Sequence, residues 1–345
     1  MRTNMRWNRC VAAGFGLAGL WVLPALAQNA QAPNAAAASS PAQGKSCWLR
    51  DLASPTPSAI YALCEQGVVW VSTDNGTTWS ARDMGAKGAL RAMTFLDANR
   101  ALAIGDSGIL MATNDAGKSW TAAQSGTEKK LMDLAAVANS AWVVGYNGLI
   151  LHSSDGGKTW KEQKSGTTQS IESVFFLDEQ RGWAIGWAGT ILLTTDGGQN
   201  WKAVKAESAT WSLSSVYFRD ANNGWIVGFA GQVLHSTDGG LTWKQQNSPV
   251  KGWLTSVAFD KAGRGWITHD DGFLMSEDGG DNWKLVKTSG RFFLAKLGHV
   301  NDTLWALGQS TLLRQKAGGT EWQRVDSLVL DKSMSTAASP SGSDR

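Results

Sequence analysis

The sequence predicts an all-β protein, a seven-bladed β-propeller built on hairpins of the Asp-box type. Three observations lead to this prediction: a short motif recurs along the chain, its period stays close to 40 residues, and each period contains four short strand patterns. A unit of this length cannot bury an apolar face alone, so it must stack on its neighbours. Consecutive four-stranded units that stack in this way form the blades of a propeller.

The recurring motif is clearest at residues 153–160, which read Ser-Ser-Asp-Gly-Gly-Lys-Thr-Trp. In a tight hairpin, Asp and Ser accept hydrogen bonds from backbone N–H groups, and Gly adopts the positive φ that the turn requires. The Trp begins the next strand with a large apolar side chain that can be buried. Successive box aspartates are 41, 40, 41, 42 and 40 residues apart, and a further step of 39 reaches Ala317, where the aspartate is lost. We expect these residues to be structural. They are Asp74, Asp115, Asp155, Asp196, Asp238 and Asp278, with Trp79, Trp120, Trp160, Trp201, Trp243, Trp283 and Trp322.

Each repeat is expected to contain all four strands of its own blade, because the same order of strand patterns recurs throughout. The predicted first strands are 47–52, 90–96, 131–137, 171–177, 213–218, 254–259 and 293–298. A second set of tryptophans repeats at one position of the second strands, which predicts packing between adjacent sheets. That set is Trp142, Trp183, Trp225, Trp266 and Trp305.

The two ends of the chain differ in composition from the repeats. Residues 1–27 combine three arginines, an apolar run and an Ala-Leu-Ala end, which predicts a cleavable signal peptide and a periplasmic product. Residues 28–45 and 333–345 are poor in large apolar side chains, so we expect a disordered linker and a disordered tail. The propeller is predicted to occupy residues 46–332. Closure between its first and last blades is expected from packing, with the C-terminal segment 328–330 as a candidate contributor.

The charge balance argues against a nucleic-acid partner. Three of the 32 basic residues lie in the predicted signal peptide, and the rest of the chain has 29 basic and 29 acidic residues. A neutral chain of this kind lacks the electrostatic footprint of a nucleic-acid-binding protein. We expect a monomer with a protein partner, and no nucleic acid.

Two cysteines, Cys47 and Cys64, remain once Cys10 leaves with the signal peptide. They are predicted to face each other in the first two strands, with residues 52 and 59 paired across a loop at 53–58. In an oxidising compartment a disulfide there would stabilise the fold by about 3 kcal/mol. The alternative is a pair of buried free thiols.

Asp boxes also occur in sialidases and other glycoside hydrolases, so a carbohydrate-active enzyme or a glycan-binding propeller is the alternative function. A sialidase needs an arginine cluster and a tyrosine paired with a glutamate. The tyrosines are Tyr61, Tyr146 and Tyr217, and the glutamates are scattered over loops and outer strands. His152 and His235 occupy equivalent positions two blades apart and do not converge on a metal. We therefore predict no catalytic, metal or cofactor site.

Four segments of the fourth repeat carry a resemblance to a known family. Residues 173–178 (SVFFLD), 181–186 (RGWAIG), 189–192 (GTIL) and 195–198 (TDGG) resemble the photosystem II stability/assembly factor family. The resemblance extends over residues 46–325. It implies an exported, seven-bladed, non-enzymatic scaffold that binds a membrane protein or an envelope complex during assembly. It also implies an arginine-rich binding patch, for which Arg100, Arg181, Arg219 and Arg264 are the candidates here.

The tips that join second to third strands supply another candidate surface. Glycines frame most of these tips, and the residue after the first glycine is free to vary. Blades three to five place Tyr146, Trp187 and Phe229 there, while Asp106 and Asp270 lie on the flanking blades. An aromatic arc with an acidic rim is typical of an interaction patch. The alternative is that the rings fold against the channel mouth or the neighbouring blade.

Overall fold

A computed structural model describes residues 47–328, apart from residues 207, 271, 287, 289–291 and 317. The predicted signal peptide, linker and tail, and Ala317 of the seventh box, lie outside the described residues. The described chain forms seven antiparallel sheets of four strands each, and in every sheet the strands are neighbours in the order of the sequence. The predicted seven-bladed propeller is confirmed.

The strands of the first four blades are as follows. Blade 1 contains β1 (Leu49–Thr56), β2 (Ala59–Cys64), β3 (Val68–Ser72) and β4 (Ser80–Asp83). Blade 2 contains β5 (Leu90–Phe95), β6 (Ala101–Gly105), β7 (Leu110–Thr113) and β8 (Thr121–Ala123). Blade 3 contains β9 (Leu131–Val137), β10 (Ser140–Gly145), β11 (Ile150–Ser153) and β12 (Lys161–Glu162). Blade 4 contains β13 (Ile171–Phe176), β14 (Gly182–Gly186), β15 (Ile191–Thr194) and β16 (Lys202–Ala203).

The last three blades follow the same order. Blade 5 contains β17 (Leu213–Phe218), β18 (Gly224–Gly228), β19 (Val233–Ser236) and β20 (Lys244–Gln245). Blade 6 contains β21 (Leu254–Phe259), β22 (Gly265–His269), β23 (Gly272–Ser276) and β24 (Lys284–Val286). Blade 7 contains β25 (Leu294–Val300), β26 (Thr303–Gly308), β27 (Thr311–Gln315) and β28 (Trp322–Arg324). Short 3₁₀ turns occupy three tips: Asp106–Gly108, Trp187–Gly189 and Phe229–Gly231. No helix in the described part of the chain is long and apolar enough to cross a membrane.

The core lies between blades. Seven clusters of buried apolar side chains each join two consecutive blades, and one of them joins blade 7 to blade 1. In this closing cluster Leu49 and Ile60 pack with Trp305, and Leu328 lies beside them, as expected for the C-terminal segment. The other two residues of that predicted closing segment, Val329 and Leu330, lie outside the described residues. Packing of this kind closes the ring without exchange of a strand between its ends.

The predicted pairing of the first two strands was wrong. Leu49, not Cys47, lies opposite Cys64, and Leu52 pairs with Ala62. The register differs because strand β1 continues to Thr56, so the predicted loop at 53–58 shrinks to a tight turn. A bulge lies between Leu49 and Asp51, and blades 2 to 7 all bulge at the matching place in the pairing of their first two strands. Cys47 and Cys64 still lie close together, with Cα atoms 5.7 Å apart, and are joined by a disulfide.

Candidate functional site

The alternation of strands gives the propeller two faces of different construction. On the box face, the turns between first and second strands meet the Asp-box hairpins, as where Gly156 N–H donates to the carbonyl of Asn139. On the tip face, the tips between second and third strands meet the linkers between blades, as where Gly189 N–H donates to the carbonyl of Trp211 at 2.9 Å. Any surface feature at the ends of the strands therefore belongs to one face or the other.

The box aspartates are occupied within their own hairpins. The carboxylate of Asp155 accepts hydrogen bonds from the backbone of Lys158 and Thr159 and from the hydroxyl of Thr159, at 2.7–3.0 Å. The hydroxyl of Ser153 donates to Asp155 and accepts the N–H of Gly157 at 2.8 Å. Hydrogen bonds that favour the ionised form hold the pKa of Asp155 well below its usual range. A carboxylate held in this way is a structural acceptor, not a general acid.

The two repeated sets of tryptophans pack in the inter-blade core. The second-strand set is 0–1% exposed, as predicted from its repetition. The indole N–H of Trp142 donates to the carbonyl of Gly197, in the box hairpin of the next blade, at 3.0 Å. The box residue Trp160 donates to the carbonyl of Gly157 in its own hairpin at 3.1 Å. These two bonds fasten the box hairpins of blades 4 and 3 to tryptophans of blade 3.

The four candidate arginines lie on the box face and have local partners. Arg100 pairs with Asp97 at 2.6 Å and donates to the Asn139 side chain of the next blade. Arg264 pairs with Asp260 at 2.7 Å. The remaining two are Arg181, 3.7 Å from Asp178, and Arg219, which lies over the rings of Trp225 and Phe259. These contacts join turns to hairpins; a binding role for the four remains a prediction.

The predicted tip patch divides into two unlike parts. In blade 3, Tyr146 is half-buried, and the ammonium of Lys130 lies 5.3 Å from its ring centroid. The neighbouring Asp106 is paired with Arg91 and lies 3.6 Å from Lys130. The hydrogen bond from Arg91 holds the pKa of Asp106 below its usual value. This part of the predicted acidic rim is therefore neutralised by the protein itself.

In blades 4 and 5 the tip rings face solvent. Trp187 and Phe229 are 48% and 47% exposed. Each stands at the start of a turn in which the next residue, Ala188 or Ala230, has φ of 51° or 58°. A Cβ on the closing glycine, Gly189, would collide with the carbonyl of Ala209 in the adjoining linker. The linker thus fixes the turn.

Two further tryptophans extend this surface, and the sequence patterns missed both. Trp211 and Trp253, in the linkers that enter blades 5 and 6, are 52% and 46% exposed. The rings of Trp211 and Phe229 have centroids 5.7 Å apart. The backbone N–H of Trp253 donates to the carboxylate of Asp270 at 3.3 Å. We call Trp187, Trp211, Phe229 and Trp253 the aromatic surface.

The signal that could have identified Trp211 and Trp253 is their position in the chain. Each of these linker tryptophans stands one or two residues before the first strand of a blade. Linkers vary in length and carry no repeated motif, so the period that exposed the boxes did not expose these residues.

An ionic cluster crosses the centre of the ring. Lys296 of blade 7 lies 2.9 Å from Asp51 of blade 1 and 3.5 Å from Asp133 of blade 3. Asp51 also accepts the N–H of Met93 at 3.0 Å, and Asp133 accepts that of Val174 at 3.0 Å. Burial works against a charged Lys296, but attraction to the two carboxylates outweighs it and raises the pKa of the ammonium. The cluster joins inner strands that are not sequence neighbours.

No group of His, Cys, Asp or Glu in the described part of the chain could hold a metal ion. His152 stacks on Trp142 with ring centroids 5.0 Å apart, and burial lowers its pKa. His235 stacks on Trp225 in the same way. The two equivalent histidines thus pack on tryptophans in separate blades.

Comparison with known proteins gives two family matches. A family profile described as "Photosynthesis system II assembly factor YCF48" matches residues 79–167 and 159–248. A second profile, described as "BNR/Asp-box repeat", matches residues 70–81. No curated protein matches the sequence.

Solved structures with the same fold include two described as YCF48. The first, "YCF48 bound to D1 peptide", has a TM-score of 0.62 and 22% identity, and the match covers 74% of this chain and 86% of that one. The second, "YCF48 from Cyanidioschyzon merolae", has a TM-score of 0.65 and 20% identity, with 78% and 95% covered. At these identities the likeness concerns the fold. With the profile matches and the seven Asp-box blades, it leads to one assignment: the chain belongs to the YCF48 family of seven-bladed Asp-box β-propellers.

Proposed function

We propose that this chain is an exported, non-enzymatic scaffold that binds a membrane protein or a membrane complex during its assembly. The observation that carries the proposal is membership of the YCF48 family, together with the similar structure described as bound to a D1 peptide. The export step rests on residues 1–27, whose composition predicts a signal peptide and a periplasmic location.

The carboxylates of the described residues support binding rather than hydrolysis. A glycosidase needs two carboxyl groups that face one substrate across a short gap. Here Glu65 pairs with Arg50 at the start of blade 1, and Glu172 accepts the indole N–H of Trp187 at 2.6 Å in blade 4. Glu321 pairs with Lys316 in blade 7. These three glutamates serve three different blades, so they do not form the facing pair that a carbohydrate-active enzyme needs.

We place the protein partner on the tip face because the tips differ in sequence from blade to blade. The polar groups of the box hairpins, in contrast, are already used in hydrogen bonds within each hairpin. The test uses a photoreactive aromatic amino acid, p-benzoylphenylalanine, at position 146 on the tip face or position 158 on the box face. Both positions belong to blade 3, so each variant is the control for the other. We expect crosslinks to an integral membrane protein from position 146 and none from position 158.

Crosslinks from position 158 alone, or from position 146 to water-soluble proteins alone, would contradict the proposal. Hydrolysis of a glycoside by the purified exported chain would contradict its non-enzymatic part. The same preparation tests export, because cleavage after Ala27 would leave Gln28 at the N-terminus, which mass spectrometry can identify.

A further inference from the structure

The aromatic surface is the largest apolar feature that the described residues expose. Six large apolar side chains are exposed, and four of them, Trp187, Trp211, Phe229 and Trp253, lie together on the tip face of blades 4 to 6. The other two, Leu241 in the fifth box hairpin and Leu285 in β24, lie apart from that face. Rings of this size stay exposed at a cost in free energy unless something covers them.

The rings are held with their polar atoms toward the protein. The indole N–H of Trp187 donates to Glu172 at 2.6 Å, and that of Trp253 donates to the hydroxyl of Ser214 at 2.7 Å. Burial raises the pKa of Glu172, the acceptor of the Trp187 N–H. With the N–H groups of Trp187 and Trp253 used internally, the hydrocarbon edges of those rings remain for a ligand. This presentation suits an apolar medium better than a sugar, which needs free hydrogen-bonding groups beside the ring.

The four rings are about half exposed to solvent, at 46–52%. Two cavities on the described surface lie elsewhere: one of about 310 Å³ is between Asp260 and Gly318, and one of about 690 Å³ is beside Asn147 and Gln169. A hot spot that receives a partner side chain is normally a pocket. Protruding aromatic rings instead insert into the surface that they meet, as Trp and Phe do at the boundary between lipid headgroups and acyl chains.

The charges beside the rings fit an anionic lipid surface. Lys205 and Lys251 lie in the same two linkers as Trp211 and Trp253, and both are exposed. Of the acids that the structure describes nearby, Glu172 is bound to an indole, and Asp270 accepts the backbone N–H of Trp253. Two more acids of these segments, Glu207 and Asp271, lie outside the described residues. Lysines next to exposed aromatic rings attract anionic headgroups, while the rings supply the apolar part of the binding.

We propose that the tip face of blades 4 to 6 docks on a lipid bilayer, with the aromatic surface inserted at the headgroup boundary and Lys205 and Lys251 on anionic headgroups. This goes beyond the proposed function, since it requires no protein partner. It also orients the disc, because the tip face would then point toward the membrane and the box face away from it. Tips of blades 2 and 3 would lie next to the bilayer, where segments of a membrane protein emerge.

The test is flotation of the purified exported chain with vesicles of pure lipid, either phosphatidylcholine alone or phosphatidylcholine with 30% phosphatidylglycerol. We expect binding to both, stronger with the anionic lipid. The variant W187S/W211S/F229S/W253S should bind at least about tenfold less, whereas K205E/K251E should lose mainly the preference for anionic lipid. The matched control, L241S/L285S, removes exposed apolar side chains away from the surface and should bind like the wild type. The smaller variant W211S/F229S keeps the test decisive if the fourfold variant fails to fold.

Absence of flotation with either vesicle would overturn the inference, and so would an equal loss in the tip-face variant and the leucine control. A chain that ignores vesicles yet crosslinks to a membrane protein would show that the rings bind protein, which rejects this inference and leaves the proposed function standing. A chain that floats with vesicles but captures no membrane protein would support this inference and contradict the proposed function.

Discussion

At the scale of single residues, the box aspartates show how one residue type can repeat in a fold without forming an active site. The hydroxyl of Thr78 and the backbone N–H groups of Thr77 and Thr78 donate to Asp74. These bonds, with the side-chain bond from Thr78 the strongest, lower the pKa of Asp74 to about 2. The pKa values of Asp115, Asp155 and Asp278 are lowered further for the same reason.

These shifts predict a loss of stability in acid. An unfolded aspartate has a pKa of about 3.9, so between that value and about 2 the unfolded chain takes up protons that the folded boxes do not. The free energy of unfolding should therefore hold above about pH 5 and fall steadily toward pH 2. Urea titrations at a series of pH values measure this. Asp74→Asn should cost stability at pH 6 and about half as much at pH 3, and an equal cost at both values would disprove the link to ionisation.

At the scale of the hairpin, the two glycines after each aspartate have different tasks. In the fifth box, Gly239 and Gly240 have φ of 73° and 82°, values that other residues resist. A Cβ on Gly239 would lie 3.1 Å from the carbonyl oxygen of Ala221, whereas one on Gly240 would collide with the ring of Trp183. Trp183 is fully buried and stacks on Phe218 with ring centroids 3.6 Å apart, so it cannot move aside.

Substitution of the two glycines should therefore have unequal effects. Gly239→Ala should lower the free energy of unfolding by about 1 kcal/mol, the cost of positive φ alone. Gly240→Ala should cost about 2–4 kcal/mol, since steric overlap with a packed core adds to it. Thermal and urea unfolding of both variants provide the comparison. The collision with Trp183 would not be the cause if Gly240→Ala lowered the free energy of unfolding by the same amount in the wild type and in a W183L background.

The hairpin is also the scale at which the sequence is most informative. The box residues and the second-strand tryptophans repeat, so their positions follow from the period alone. The register at Leu49 was missed because the strand pattern does not show that β1 continues to Thr56 and turns tightly before Ala59. Trp187 and Phe229 were found through their framing glycines. Trp211 and Trp253 were not, because contacts made by linkers across blades leave no periodic signal.

At the scale of the whole molecule, closure of the ring requires blade 7 to meet blade 1. The inter-blade core supplies most of this, with Trp305 and Trp79 in edge contact at 6.4 Å between centroids. Arg314 of blade 7 also donates to the carbonyl of Asn75 in the first box hairpin. The Cys47–Cys64 disulfide lies within blade 1 and so does not fasten the two ends to each other.

Lys296 adds a connection through the centre, since its two carboxylate partners lie on blades 1 and 3. The lysine occupies the inner-strand position that Asp51 and Asp133 occupy in their own blades. An alignment of the repeats would have shown this set as charges at one repeated position. It would not have shown that the three meet, because the contact spans the ring and depends on its closure.

The last prediction concerns this cluster. Lys296→Met leaves Asp51 and Asp133 near each other in the channel without a cation, and breaking a buried ion pair on one side is costly. The lysine side chain keeps about a third of its surface open to solvent, 34%, so screening reduces the loss to about 1–3 kcal/mol. The double variant D51N/K296M removes one carboxylate together with the ammonium and should recover part of that loss, since a single charge then remains. Chemical denaturation of the wild type and both variants measures the effect. A double variant less stable than K296M would show that Asp51 stabilises the ring through the N–H groups of Leu52 and Met93, and not through the lysine.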